Sequence, residues 1–211
     1  MDSLTDRAYT AIEELIVTLQ LAPGAAVSEQ MLAERLGIGR TPIREALQRL
    51  ARERLVSILP RRGVVVSAID VAAQLRLLEV RRELERLVAR GAARRSSEAE
   101  RARFAELARL FERAGRTGDD KTFMRIDREF NELCLVAVRN EFAEGAMRLM
   151  NSLSRRFWFH HYKQAADMPE TAKLHADIAR AIAAGDEKGA AHALDRLLDN
   201  IQSFTRATVD V

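Results

Sequence analysis

Between residues 40 and 62, seven arginines stand against two glutamates, a local charge of +5 in a chain whose net charge is only +3. The remainder of the sequence is therefore slightly acidic, and the positive charge is concentrated on one segment. Guanidinium forks suit phosphate oxygens and guanine edges, and small hydroxyls suit phosphates. At helical spacing Arg40, Thr41, Arg44, Gln48 and Arg52 share one side of the segment, while Ile43, Ala46, Leu47 and Leu50 share the other. Arg49 adds a further cation, and Arg61, Arg62 and Gly63 form a basic turn just downstream. A charge run alone is usually a solvated surface. Here it coincides with a capped helix, a tight turn and a hairpin tip, and that combination points to duplex DNA.

A second set of polar residues falls on apolar faces. Phe123, Phe130, Cys134 and Ala137 form a helical stripe that includes Asp127, with Asn131 one turn later. His175 lies on the stripe Leu174, Ile178, Ala181 and Ile182, and Leu77, Leu84 and Val88 bracket Arg81. A carboxylate, amide, imidazole and guanidinium facing inward are costly unless they pair with each other, a metal or a ligand. The set predicts a polar cavity. Arg81, alone or with Arg155 or Arg156, offers a guanidinium that could fork a carboxylate, which makes a small organic acid the expected effector. The plainer readings are an Arg81–Asp127 structural ion pair and a satisfied core histidine at 175.

The elements that position these residues are legible from periodicity. Helices are expected over 4–19, 29–36 and from Thr41-Pro42 to about Arg54, followed by strands over 55–59 and 63–67. Leu21-Ala22-Pro23-Gly24 separates the first two helices, Ser28 is the expected N-cap of the second, and Gly37 ends it. Two short helices joined by a glycine-containing turn, then a hairpin, outline a winged helix-turn-helix. Beyond Ser67 only helical periodicity remains, over 71–94, 98–116, 119–138, 141–165, 169–184 and 187–208. The expected fold is mainly α: an N-terminal winged helix-turn-helix (1–67) plus a C-terminal antiparallel six-helix bundle (70–208).

Composition narrows the classes. Apolar residues make up 47% and charged residues 31%, an ordinary globular balance. No apolar run approaches the roughly 20 residues that span a bilayer, and the amino terminus lacks a signal-peptide core. Cys134 is the sole cysteine, so no intrachain disulfide forms, which fits the cytoplasm. No nucleophile motif or phosphate loop accompanies the Asp/His/Arg set, so acid-base catalysis is the weaker alternative.

The run Arg40-Thr41-Pro42-Ile43-Arg44-Glu45-Ala46-Leu47, preceded by Leu21-Ala22-Pro23-Gly24 and Ser28-Glu29, resembles the GntR family of bacterial regulators. The similarity continues through Arg61-Arg62-Gly63-Val64-Val65-Val66. Gly39 departs from the family's usual Ser or Thr, and Arg54 stands where a glycine usually precedes the wing. Residues 70 to 205 resemble the ligand-sensing FCD domain of the FadR subfamily, through Glu79-Val80-Arg81-Arg82-Glu83-Leu84-Glu85, Asp127-Arg128-Glu129-Phe130, Asn140 and His175. Six helices match the shorter, VanR-like branch.

The resemblance implies a homodimeric, ligand-responsive repressor on a palindromic operator, its two reading helices about 34 Å apart. Arg40, Thr41, Arg44, Gln48, Arg49, Arg61, Arg62 and Gly63 are the expected DNA contacts. Arg81, Asp127, Asn131, Arg155 and His175 are the expected effector contacts. Many FCD domains hold a divalent metal on an Asp, a His four residues later and two further His. Asp127 and His175 match that set, Asn131 replaces the second ligand and Leu197 the fourth, so a metal on Asp127, Asn131 and His175 is an incomplete expectation. A regulator whose sensor has lost its ligand and serves only for dimerisation is the alternative.

Overall fold

The computed structural model describes residues 3–59, 63–165 and 168–208. The chain divides into two compact units, one of residues 1–70 with 148–160, the other of 71–147 with 161–211.

In the first unit, Ser3 and Asp6 close a capping box that starts α1 (Leu4–Val17). After a turn at Gly24 comes β1 (Ala26–Val27). Ser28 then accepts from the Met31 N–H and starts α2 (Glu29–Leu36), which ends on Gly37 in the left-handed conformation. The third helix, α3 (Arg40–Arg52), begins on Gly39, not on Thr41, and no side chain caps it. Pro42 still sits within the first turn, where a missing N–H costs nothing. Strands β2 (Val56–Leu59) and β3 (Gly63–Val66) follow, and the antiparallel sheet runs β1-β3-β2 with Ala26 opposite Val65 and Val56 opposite Val66. Two residues carry no alternation, so β1 has no periodic signature in the sequence.

Ile12, Ile16, Leu32, Ile43, Leu47, Leu50 and Leu55 are buried together and lock the three helices and the sheet into one core. Leu153, from the long helix α7 (Glu141–Ala165), packs against the same core. Beside it Arg155 donates to Glu13 at 2.8 Å, and Arg156 donates to the carbonyls of Ser67 and Ala68. The stretch 148–160 of α7 thus belongs with the first unit, whereas periodicity alone assigns all of α7 to the bundle.

The second unit also contains α4 (Val71–Arg95), α5 (Glu98–Thr117), α6 (Asp120–Ala137), α8 (Met168–Ala184) and α9 (Glu187–Ala207). Helix α5 packs along α8, and α4 along α9. The α5–α8 approach is close: a Cβ on Gly115 would meet the Ala172 methyl at 2.9 Å. Arg82 and Arg86 of α4 bind Asp195 and Asp199 of α9 at the margin. Phe104, Phe111, Phe123 and Phe130 fill the centre edge to face, with centroids 5.7 to 5.9 Å apart.

Candidate nucleic-acid interface and polar interior

Helix α3 buries Ile43, Ala46, Leu47 and Leu50, so its opposite side is forced outward. Arg40, Thr41, Arg44 and Gln48 are all exposed there, on successive turns. Arg44 is held at its base: Nε donates to Glu29 Oε1 at 2.7 Å and Nη2 to Glu29 Oε2 at 2.8 Å. Arg40 reaches the same carboxylate at 3.5 Å. Those hydrogen bonds and charges hold the Glu29 carboxyl below its ordinary range. Gly63, at the start of β3, is exposed with φ +80, a conformation that side chains rarely adopt. Arg61 and Arg62 lie outside the described residues.

Arg49 is a different case from its neighbours. Its guanidinium stacks over the Tyr9 ring at 3.7 Å, donates to Glu53 at 3.3 Å and lies 3.6 Å from Asp6. One residue along a helix is a turn of about 100°, which carries Arg49 off the outer row and onto the flank that meets α1. The structure therefore packs Arg49 against α1, apart from the outer row expected to meet DNA with it. Tyr9 donates to Glu53 at 2.7 Å, and burial pushes both the Tyr9 hydroxyl and the Glu53 carboxyl upward.

In the second unit α6 and α8 bring Asp127 and His175 together, Oδ1 to Nε2 at 3.3 Å. His175 Nδ1 lies 2.8 Å from the Thr171 carbonyl, which only accepts, so Nδ1 carries a proton and Nε2 faces the carboxylate. Phe111, Phe123 and Phe130 surround the imidazole at 5.0, 5.4 and 6.2 Å. The Asn131 amide donates back to the Asp127 carbonyl and to its Oδ1, at 2.9 and 3.2 Å. Cys134 is buried beside them, its thiol pushed well up by desolvation and then by Glu85 and Asp127.

Arg81 is buried on α4, but its partner is Glu85, one turn along, and not Asp127. The (i, i+4) spacing on a shared face carried that signal in the sequence. Arg155 lies in the segment of α7 that belongs to the first unit. It is buried against Glu13 in the first unit, with Glu14 at 3.8 Å, because the α7 segment that bears it packs there.

The residues do not fit the family's metal. Among the described residues no group of three His, Cys, Asp or Glu converges on one point. Asn131 turns its NH2 group, not its oxygen, toward Asp127. Leu197 is buried as ordinary core, and His192 is exposed. A tetrahedral or octahedral ion needs more than Asp127 and His175 supply.

Residues 4–66 match the family described as bacterial regulatory proteins, gntR family, and residues 76–200 match the FCD domain. An uncharacterized HTH-type transcriptional regulator of Streptomyces ambofaciens is 48% identical over 64 residues, 30% of this chain. That match spans 27% of the relative's own length, and one with an Agrobacterium vitis regulator spans 46%. The transcriptional regulator McbR of Escherichia coli is 24% identical over 205 residues, covering 93% of this chain and 90% of McbR. The solved structure of E. coli McbR/YncC superposes with a TM-score of 0.75 at 22% identity, covering 99% of this chain and 100% of that one. A Rhodococcus regulator gives 0.72 at 23% identity, over 96% and 97%. At such identities these two structures show the shared fold.

A winged helix-turn-helix with an arginine-rich outer helix face, followed by an all-helical unit, is the architecture that these two family matches describe. The chain belongs to the gntR family of bacterial regulatory proteins, in the group that carries an FCD domain.

Proposed function

We propose that this regulator acts in the cytoplasm as a homodimeric repressor, reading a two-fold-symmetric operator with the exposed row of α3. The observation that carries the reading is the outward array Arg40, Thr41, Arg44 and Gln48 on a helix whose other face is core. Two copies related by a two-fold axis place these rows one duplex turn apart, roughly 34 Å, in successive major grooves. Arg44 reads a base edge, Arg40 and Thr41 hold phosphates, and the wing from Arg61 to Gly63 lies along the neighbouring groove. Repression is supported by the E. coli relative named transcriptional repressor RspR, 36% identical over 85 residues.

The FCD interior receives a small organic acid. Arg81 exchanges Glu85 for the ligand carboxylate, and Asn131 and the Asp127–His175 pair complete the polar lining. Ligand binding changes operator affinity through a coupling of about 1–3 kcal/mol. A second reading is favoured by the pairing of Arg81 with Glu85 and of His175 with Asp127: those side chains already satisfy each other, as in a sensor kept only for dimerisation.

Duplexes enriched from a random pool, then titrated with full-length protein, test the first part. The expected consensus is a palindrome bound by two chains. Binding of one chain to an asymmetric site contradicts it. Melting temperature followed against a panel of small carboxylates separates the two sensor readings: a saturable rise supports a live site, and no response across the panel supports the ligand-free reading.

A further inference from the structure

Glu29 is absent from any expected set of DNA contacts, yet it holds an exposed arginine fork on the α3 face. It is the first residue of α2, fifteen residues from Arg44 and on a different helix. Its two oxygens take the Nε–H and one Nη2–H of Arg44, the side edge of the guanidinium. A guanidinium has five N–H donors in a fixed plane. The end edge, formed by Nη1 and the second Nη2 hydrogen, has no partner among the described residues. That remaining pair of donors matches the O6 and N7 acceptors of guanine. Arg44 keeps 56% of its side chain exposed, with its bound edge held at the surface by Glu29.

An unanchored arginine on a helix surface samples many rotamers, and ordering it on binding costs side-chain entropy. A carboxylate that grips the side edge orders it beforehand. The same carboxylate repels phosphates, which weakens binding to any duplex that does not repay it with a base contact. Both effects act on discrimination more than on affinity.

We propose that Glu29 is a positioning residue for sequence readout: it presets the Arg44 fork for one guanine and penalises non-specific duplex. This rests on the reading of α3 as the base-reading helix. The Glu29 carboxyl is held ionised well below neutrality by Arg44 and Arg40, so the arrangement persists across ordinary assay conditions.

The test compares wild type, Glu29→Gln, Arg44→Ala and the double variant, all full-length. Each is titrated against the duplex enriched by the wild type, its single base-pair substitutions and an unrelated duplex. Arg44→Ala flattens the preference at one base-pair position. Glu29→Gln lowers the preference at that same position about tenfold, binds the unrelated duplex more tightly, and melts like the wild type. In the double variant Glu29→Gln adds no further loss there, the non-additivity expected of one unit. Full wild-type preference in Glu29→Gln, at a position that Arg44→Ala flattens, overturns the role of Glu29 alone. If Arg44→Ala flattens no position, the assignment of α3 fails and the inference falls with it.

Discussion

Arg49 lies over the ring of Tyr9 at 3.7 Å, and both side chains bind the same carboxylate, Glu53. The α3 helix is thereby clamped to α1 by its flank while its outer row stays open. Adjacent arginines on one helix have separate uses here, because a turn of about 100° takes Arg49 from solvent to the α1 contact.

Arg49→Ala should therefore cost stability and spare sequence preference. A partly buried cation–π contact and a charged hydrogen bond together amount to about 2 kcal/mol. Urea denaturation measures the loss, and titration of the enriched duplex under folding conditions checks the rest. A loss of base-pair preference without a loss of stability would return Arg49 to the DNA-contact set.

Glu53 gives the same cluster a pH signature. Its folded carboxyl is raised, chiefly by burial, above the ordinary Glu value. A raised acid contributes stability in full below its unfolded value and loses it as pH rises through the folded value. Relative to Glu53→Gln, the wild type should gain melting temperature between neutrality and mildly acidic pH. A relative loss over that interval would show that the Arg49 and Tyr9 hydrogen bonds outweigh desolvation.

The two departures from the family pattern have backbone consequences. Arg54 takes φ +60, the left-handed region that a glycine would adopt without strain. Gly39 caps α3 without a side-chain acceptor. Arg54→Gly and Gly39→Ser should each stabilise by about 1 kcal/mol, read as shifts in the denaturation midpoint at constant slope. A destabilisation by Gly39→Ser would mean that the hydroxyl does not reach the Arg40–Pro42 turn.

Metal should not stabilise the second unit. With Asp127 and His175 the matching ligands and Asn131 presenting its NH2 group, added Zn²⁺, Ni²⁺ or Mn²⁺ should leave melting temperature unchanged, and chelator should do the same. A rise that scales with the logarithm of metal concentration would reveal a bound ion.

Much of this was legible in the sequence, for definite reasons. Caps and breakers such as Ser28, Gly37, Asp186 and Gly185 act locally, so helix ends fall within two residues of expectation for most elements. The inward faces of Asp127 and His175 followed from 3.6-residue periodicity. What periodicity does not carry is partner choice across space. Arg155 finds Glu13 from 142 residues away, and Arg44 finds Glu29 across a turn, so neither pairing leaves a trace in spacing. Arg81 and Glu85 were one turn apart, and there the signal was present but competed with the more distant Asp127.

If the outer row of α3 reads DNA, Arg44→Ala should bind the duplex enriched by the wild type about tenfold more weakly or worse. Its melting temperature should be unchanged, and its affinity for unrelated duplex reduced much less. Binding at wild-type affinity and preference, by a folded Arg44→Ala protein, would contradict that role of α3.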